Sequence, residues 1–302
     1  MKLLLPLILL YATIASAAEV LAADSAPSGR LIITQFVSAP FPHPSRAAGH
    51  RYKDKFFPAA EHYSDSTVAI FVPNQFRQTG RLDCVVHFHG WGNNVTNVLE
   101  QFRLVEQFVE SGRNAVLVVP QGPRNASDSF GGKLEDADGF KRFMDELIAT
   151  LKQHAPFKGN ELSIGNVILS GHSGGYRVIA GILDRGGLAD RVKEVWLFDA
   201  LYAETDKFLA WQDKQHGRLI NICTDNGGTK DDTGQMMATL KQRRVPFLSK
   251  HETDATPQNL KRNRLIFLHT DLGHNDVVEK RKQFCQFLKS SCLENARKSP
   301  PH

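Results

Sequence analysis

The sequence predicts an α/β fold: a single domain on a mostly parallel β-sheet, with helices on both faces. Three observations carry this. Apolar runs of strand length alternate with segments whose apolar residues recur at helical spacing. Several runs are continuous, such as "NAVLVVPQ" (114–121) and "NVILSG" (166–171), as strands covered on both faces require. And one run leads through Gly171-His172-Ser173-Gly174-Gly175 straight into a helical pattern, which reads as a sharp strand-to-helix turn.

The elements follow in chain order. "MKLLLPLILLYATIASAAEVLAAD" has one Lys, an apolar run, then small residues. It predicts a signal peptide (1–23) cut near Ala17 or Ala23, hence a secreted or otherwise extracytoplasmic protein without stable membrane insertion after its removal. Residues 24–295 form the predicted domain, and 296–302 a disordered tail. Eight extended segments are expected: 30–38, 66–73, 83–90, 114–121, 166–171, 194–200, 218–224 and 264–270. No helical pattern separates the first two, so they should form an antiparallel hairpin. Helices are expected over 95–109, with Val98, Leu99, Phe102, Val105 and Phe108 on one face, and over 138–153, with Phe140, Phe143, Met144, Leu147 and Leu151. Two more follow Ser173 and cover 275–289. The longest connection, 225–263, should hold a helix around "GQMMATLKQ". No large cap insertion is evident.

The chain has 302 residues, a net charge of +5, and basic runs at 241–244, 261–264 and 279–282. No aromatic is interleaved with these runs, so they read as solvated faces rather than a nucleic-acid surface. Four cysteines occur. Cys84 and Cys223 fall in buried strands. Cys285 and Cys292 could bridge only if the last helix ends near Lys289, because seven residues of continuous helix span about 10 Å. Asn94 and Asn125 each open an N-x-S/T sequon.

Ser173 is the candidate nucleophile. G-x-S-x-G alone recurs by chance in roughly one chain of this length in ten, but here Val167, Ile168 and Leu169 precede it as a strand and Val178, Ile179 and Ile182 follow it as a helix face. A general base and an acid should lie at later strand ends. His274, in "LGHNDVV" after the last strand, is the candidate base, and His269 the weaker one. Asp225 ("NICTDNGGT") is the first choice of acid and Asp199 ("VWLFDALY") the alternative. The oxyanion donors should be the amides of Gly174 and Trp91, with Gly90 and Gly92 letting the "HFHGWGNN" backbone approach closely. His87 and His89 form an H-x-H pair that could hold a metal, but no clear further ligands accompany it, so neither metal nor cofactor is expected. Trp211 and some phenylalanines are expected to face the cleft.

On the Gly171–Gly175 elbow, the His89-Gly90-Trp91-Gly92 loop and the His274 loop, in that order, the chain resembles the α/β-hydrolase superfamily, in particular a secreted serine esterase. The resemblance implies an eight-stranded, mostly parallel sheet and no cofactor. It implies cleavage of a carboxylic ester through an acyl-enzyme on Ser173, with an ester substrate of unknown identity. A serine amidase, peptidase or acyltransferase would use the same residues. The reading from another class is a non-catalytic binding protein on this scaffold.

Overall fold

A computed structural model of the chain describes residues 20–26 and 28–296. The apolar part of the predicted signal peptide and residues 297–302 of the predicted tail lie outside the described residues.

The strands are β1 (Val20–Ala26), β2 (Gly29–Gln35), β3 (His50–Tyr52), β4 (Lys55–Phe57), β5 (Thr67–Pro73), β6 (Arg81–Phe88), β7 (Val116–Pro120), β8 (Ser163–His172), β9 (Val192–Phe198), β10 (Arg218–Thr224), β11 (Leu248–His251) and β12 (Leu265–Thr270). Ten of them form one sheet in the order β1-β2-β5-β7-β6-β8-β9-β10-β12-β11. The pairings from β7 to β11 are parallel, and those from β1 to β7 antiparallel. All eight expected strands are present. The two additions, β1 and β11, are the sheet edges. Ala23, one of the expected cleavage points, pairs with Ile32 inside β1, so a cut there would divide an edge strand.

β2 and β5 pair antiparallel as expected, but no tight hairpin joins them. Residues 36–66 intervene, carrying the β3–β4 ribbon and a short helix, α1 (Ala59–His62). That excursion packs with the loop after β7 through Phe41, Phe57, Tyr63, Ala126 and Phe130.

The remaining helices are α2 (Val95–Gln101), α3 (Leu104–Ser111), α4 (Gly139–Leu151), α5 (Tyr176–Arg185), α6 (Thr205–Gln215), α7 (Lys230–Gln242), α8 (Pro257–Arg262) and α9 (Gln283–Ser290). Strand parity sorts the core into two layers. Val86, Val118, Val167, Leu169, Leu197 and Phe267 pack against α4 to α7 through Phe143, Ile179, Phe208 and Met236. Val85, Leu117, Ile168, Trp196, Ile222 and Leu268 pack against α2, α3, α8 and α9 through Val98, Phe108, Leu260 and Phe284. Both faces are buried, which is why the central strands read as unbroken apolar runs. The expected 95–109 helix is two: Arg103 adopts a left-handed conformation, φ 47°, and breaks it into α2 and α3.

All four cysteines are unpaired. The last helix does end near Lys289, at Ser290, but Cys285 points into the core while the Cys292 amide is tied to Glu194 Oε1 at 2.6 Å.

Candidate active site

The site is assembled on strand ends at the C-terminal edge of the parallel sheet, where open α/β sheets bind their ligands. At its centre β8 ends on His172, and the chain turns through Ser173 to Gly175 into α5. Ser173 has φ 52°, in the left-handed region that an L residue occupies at a cost of about 1–3 kcal/mol. The turn closes because its flanks are glycines. A Cβ on Gly171 would lie 2.8 Å from Ile179 Cδ1, and one on Gly175 2.7 Å from the Phe88 carbonyl.

The loop after β6 reaches the same point. A Cβ on Gly90 would stand 2.6 Å from Ser173 Cβ, so this backbone touches the elbow. His89 holds it there. Its Nδ1–H donates to the Gly90 carbonyl at 2.8 Å, and its Nε2 accepts from the Gly122 amide and the Gln121 side chain, both at 2.9 Å. These partners define a neutral ring, and burial pushes its pKa below the usual value. Trp91 turns its indole over Gly174 and donates to Ser129 Oγ at 2.6 Å. The Ser129 loop is anchored in turn by the buried Asp128, which accepts from Arg46 Nε at 2.7 Å and from the Phe130 amide at 3.0 Å.

His274 lies across the elbow. Its ring centroid is 4.6 Å from that of His172, and its carbonyl accepts from His172 Nε2–H at 2.9 Å. Its Nδ1–H meets Asp199 Oδ2 at 2.6 Å, which leaves Nε2 free. Asp199, fully buried, follows β9 with φ 45°. Its carboxylate accepts from the Thr224 amide at 3.2 Å, Thr224 Oγ1 at 3.1 Å, and Thr229 Oγ1. Burial alone would raise its pKa. The hydrogen bonds from His274, Thr229 and Thr224, with the His274 charge, outweigh burial and hold it below the usual carboxylate value.

Asp225, the first-choice acid, is elsewhere. It pairs with the other candidate histidine: His269 Nδ1 to Asp225 Oδ1 is 2.9 Å. Parity explains this placement. Asp225 continues the face of β10 that carries Cys223, and His269 lies on the Leu265–Phe267 face of β12, so both look toward the α7 side. Asp199 instead leaves its strand in a left-handed turn, and that turn aims the carboxylate at the His274 loop. His251, at the end of β11, joins the second pair. One donor atom each from Asp225, His251 and His269 lie within 4.8 Å of one another. The sequence offered no partner set for a metal, because β11 carries no visible strand signal.

The cleft beside Ser173 encloses about 310 Å³ and is lined by Trp91, Ser129, Ser173, Gly174, Tyr176 and Tyr202. Its walls are aromatic, but Trp211 is not among them. That indole is in the core, with Gly217 packed on its ring. Residues that sequence reasoning passed over include His172, hidden as the variable position of the elbow motif, and Thr224 and Thr229, ordinary in sequence and identifiable only from their grip on Asp199. His87 lies away from the cleft. It is buried between Phe102 and Phe284, with Nδ1 2.9 Å from Ser170 Oγ.

No protein-family model matches the sequence, and no curated protein is significantly similar to it. Solved structures are similar in fold. The feruloyl esterase module of Clostridium thermocellum, as an S954A mutant with sinapinate, is 9% identical with a TM-score of 0.56, covering 92% of this chain and 93% of that one. The fluorophosphonate-binding serine hydrolase FphF of Staphylococcus aureus is 14% identical with a TM-score of 0.53, covering 87% and 100%. A ferulic acid esterase is 12% identical with a TM-score of 0.51, covering 74% and 91%. No helix among the described residues is long and apolar enough to cross a membrane. With its parallel sheet, its elbow at the end of β8 and these neighbours, the chain has the α/β-hydrolase fold.

Proposed function

We propose that the protein is a serine esterase acting through an acyl-enzyme on Ser173, with His274 as general base and Asp199 as the acid. The observation that carries this reading is the 2.6 Å contact of His274 Nδ1 with the buried Asp199 carboxylate, on a histidine packed against the strained serine turn. The acid fixes the tautomer, so Nε2 is the nitrogen that takes the Ser173 proton as Oγ attacks the carbonyl. The Gly174 and Trp91 amides are the proposed donors to the oxyanion. His274 then returns the proton to the leaving alcohol, and water repeats the sequence on the acyl-enzyme.

The substrate we propose is an ester with an aromatic or similarly flat group. The cleft walls of Trp91, Tyr176 and Tyr202 support it, and two of the structural neighbours are named for ferulic or feruloyl esters. The leader pattern supports action outside the cytoplasm.

The test is intact-protein mass after fluorophosphonate treatment, with Ser173→Ala in parallel. One adduct on wild type and none on the variant is expected, together with hydrolysis of hydroxycinnamate methyl esters by wild type only. A folded wild type that takes no adduct overturns the reading, and a binding role on this scaffold then stands in its place.

A further inference from the structure

A second cluster of reactive side chains lies on the α7 side of the sheet, apart from Ser173. β10, β12 and β11 are parallel neighbours, and their C-terminal ends present Asp225, His269 and His251. His251 and His269 are register partners, with ring centroids 5.0 Å apart and rings nearly perpendicular. Asp225 reaches His269 from the opposite side at 2.9 Å. The cluster opens on a cavity of about 310 Å³, which Asp225 and His269 line with Cys223, Lys230 and Ser249. Lys230 directs its Nζ to the Asp225 carbonyl, 3.2 Å away, rather than to the carboxylate.

We propose that Asp225, His251 and His269 form a binding site for a divalent transition-metal ion, zinc above all. Two imidazoles and one carboxylate are the donor set that borderline ions of this kind take, and hard cations such as calcium prefer all-oxygen sites. The donors lie within 4.8 Å of one another. Bonds of about 2.0–2.2 Å require donors about 3.4 Å apart, so each must move by under about an ångström. The His269 and Asp225 side chains are 47% and 39% exposed, which leaves them room to rotate. The adjoining cavity has space for the water that completes the coordination. His251 Nδ1 is held by Thr253, 2.7 Å from its hydroxyl and 3.3 Å from its amide, which fixes the ring and leaves Nε2 as the donor to the ion.

The ion would tie three strand ends together, including β11, a four-residue strand that among the described residues pairs on one side alone. Protein prepared without a polyhistidine tag and stripped with chelator would be titrated with zinc chloride by calorimetry, and with cobalt(II) by visible absorption. One equivalent of zinc is expected, with a rise in melting temperature. His251→Gln and Asp225→Asn should each weaken binding about a hundredfold or more and abolish the rise, while His274→Gln leaves both intact. Melting curves without metal establish that each variant is folded, and His269→Gln replaces any that is not. Folded wild type that takes up no zinc, or binding that survives these substitutions, overturns the site.

Discussion

At the scale of single residues, two aspartates at neighbouring strand ends have opposite fates. Asp199 is fully buried and accepts from His274, Thr224 and Thr229; Asp225 is part-exposed against His269. Asp199→Asn keeps the shape but reverses the donor pattern facing His274 Nδ1–H, so the wrong tautomer is favoured. The expected loss in kcat is about 10³–10⁴-fold, with the fold retained. Asp225→Asn should stay within about threefold of wild type, a surface-like change. Rates of ester hydrolysis by the two folded variants decide it, and the reverse order would return the acid's role to Asp225. The turn that carries Ser173 and the loop that carries His274 were legible in the sequence because each is a local pattern, an elbow or a segment after the last strand. Which aspartate faces His274 was not. That depends on the φ of one residue and on threonines 25 and 30 positions downstream.

At the scale of elements, the site is two loops pressed together by glycine. The loop after β6 meets the turn after β8 at Gly90, where a Cβ would lie 2.6 Å from Ser173 Cβ and 3.1 Å from the His172 carbonyl. The nearest atoms belong to a strained turn and cannot yield cheaply. Gly90→Ala should therefore push the Trp91 amide away from the oxyanion position and lower kcat/KM by about 10²-fold, as loss of one oxyanion donor does. Melting temperature should fall by only a few degrees, about 1–2 kcal/mol of overpacking. A Gly90→Ala variant with normal kcat/KM would show that this loop supplies no donor. Elements buried on both faces were the ones the sequence revealed, since their apolar runs are continuous. β11 was not readable: "LSKH" is short, polar and at an edge, and with it went His251. The break between α2 and α3 was hidden because both helices keep their apolar residues on one face across the left-handed Arg103.

At the scale of the whole molecule, two neutral histidines in the middle of the sheet set how the fold answers to acid. His87 faces Ser170, Phe102 and Phe284. Its pKa is pushed down to about 3, by burial first and then by the neighbouring imidazoles of His172 and His89, beside which a proton on His87 is unfavourable. His172 packs on Phe102 and faces His274, Asp199 and His89. Burial and then the His274 charge push its pKa down to about 4, against a backbone bond to His274. In the unfolded chain both return to about 6.5. Below that pH the unfolded state binds protons that the folded state refuses, so stability falls as pH falls, from about 6.5 toward 4. At pH 5 each ring costs about 2 kcal/mol, and the pair about 4, which is a large part of the 5–15 kcal/mol typical of a whole domain. Asp199 acts in a separate window. Its lowered pKa adds stability above the unfolded carboxylate value near 4, and that contribution is lost only below it. Urea unfolding at pH 7, 6 and 5 therefore reads the histidines alone of these three. The midpoint should drop steadily across that range, and His87→Leu, compared with itself at each pH, should show a shallower drop. A midpoint unchanged between pH 7 and 5 would mean that the folded sheet takes up these protons, and that neither ring is held neutral in the core.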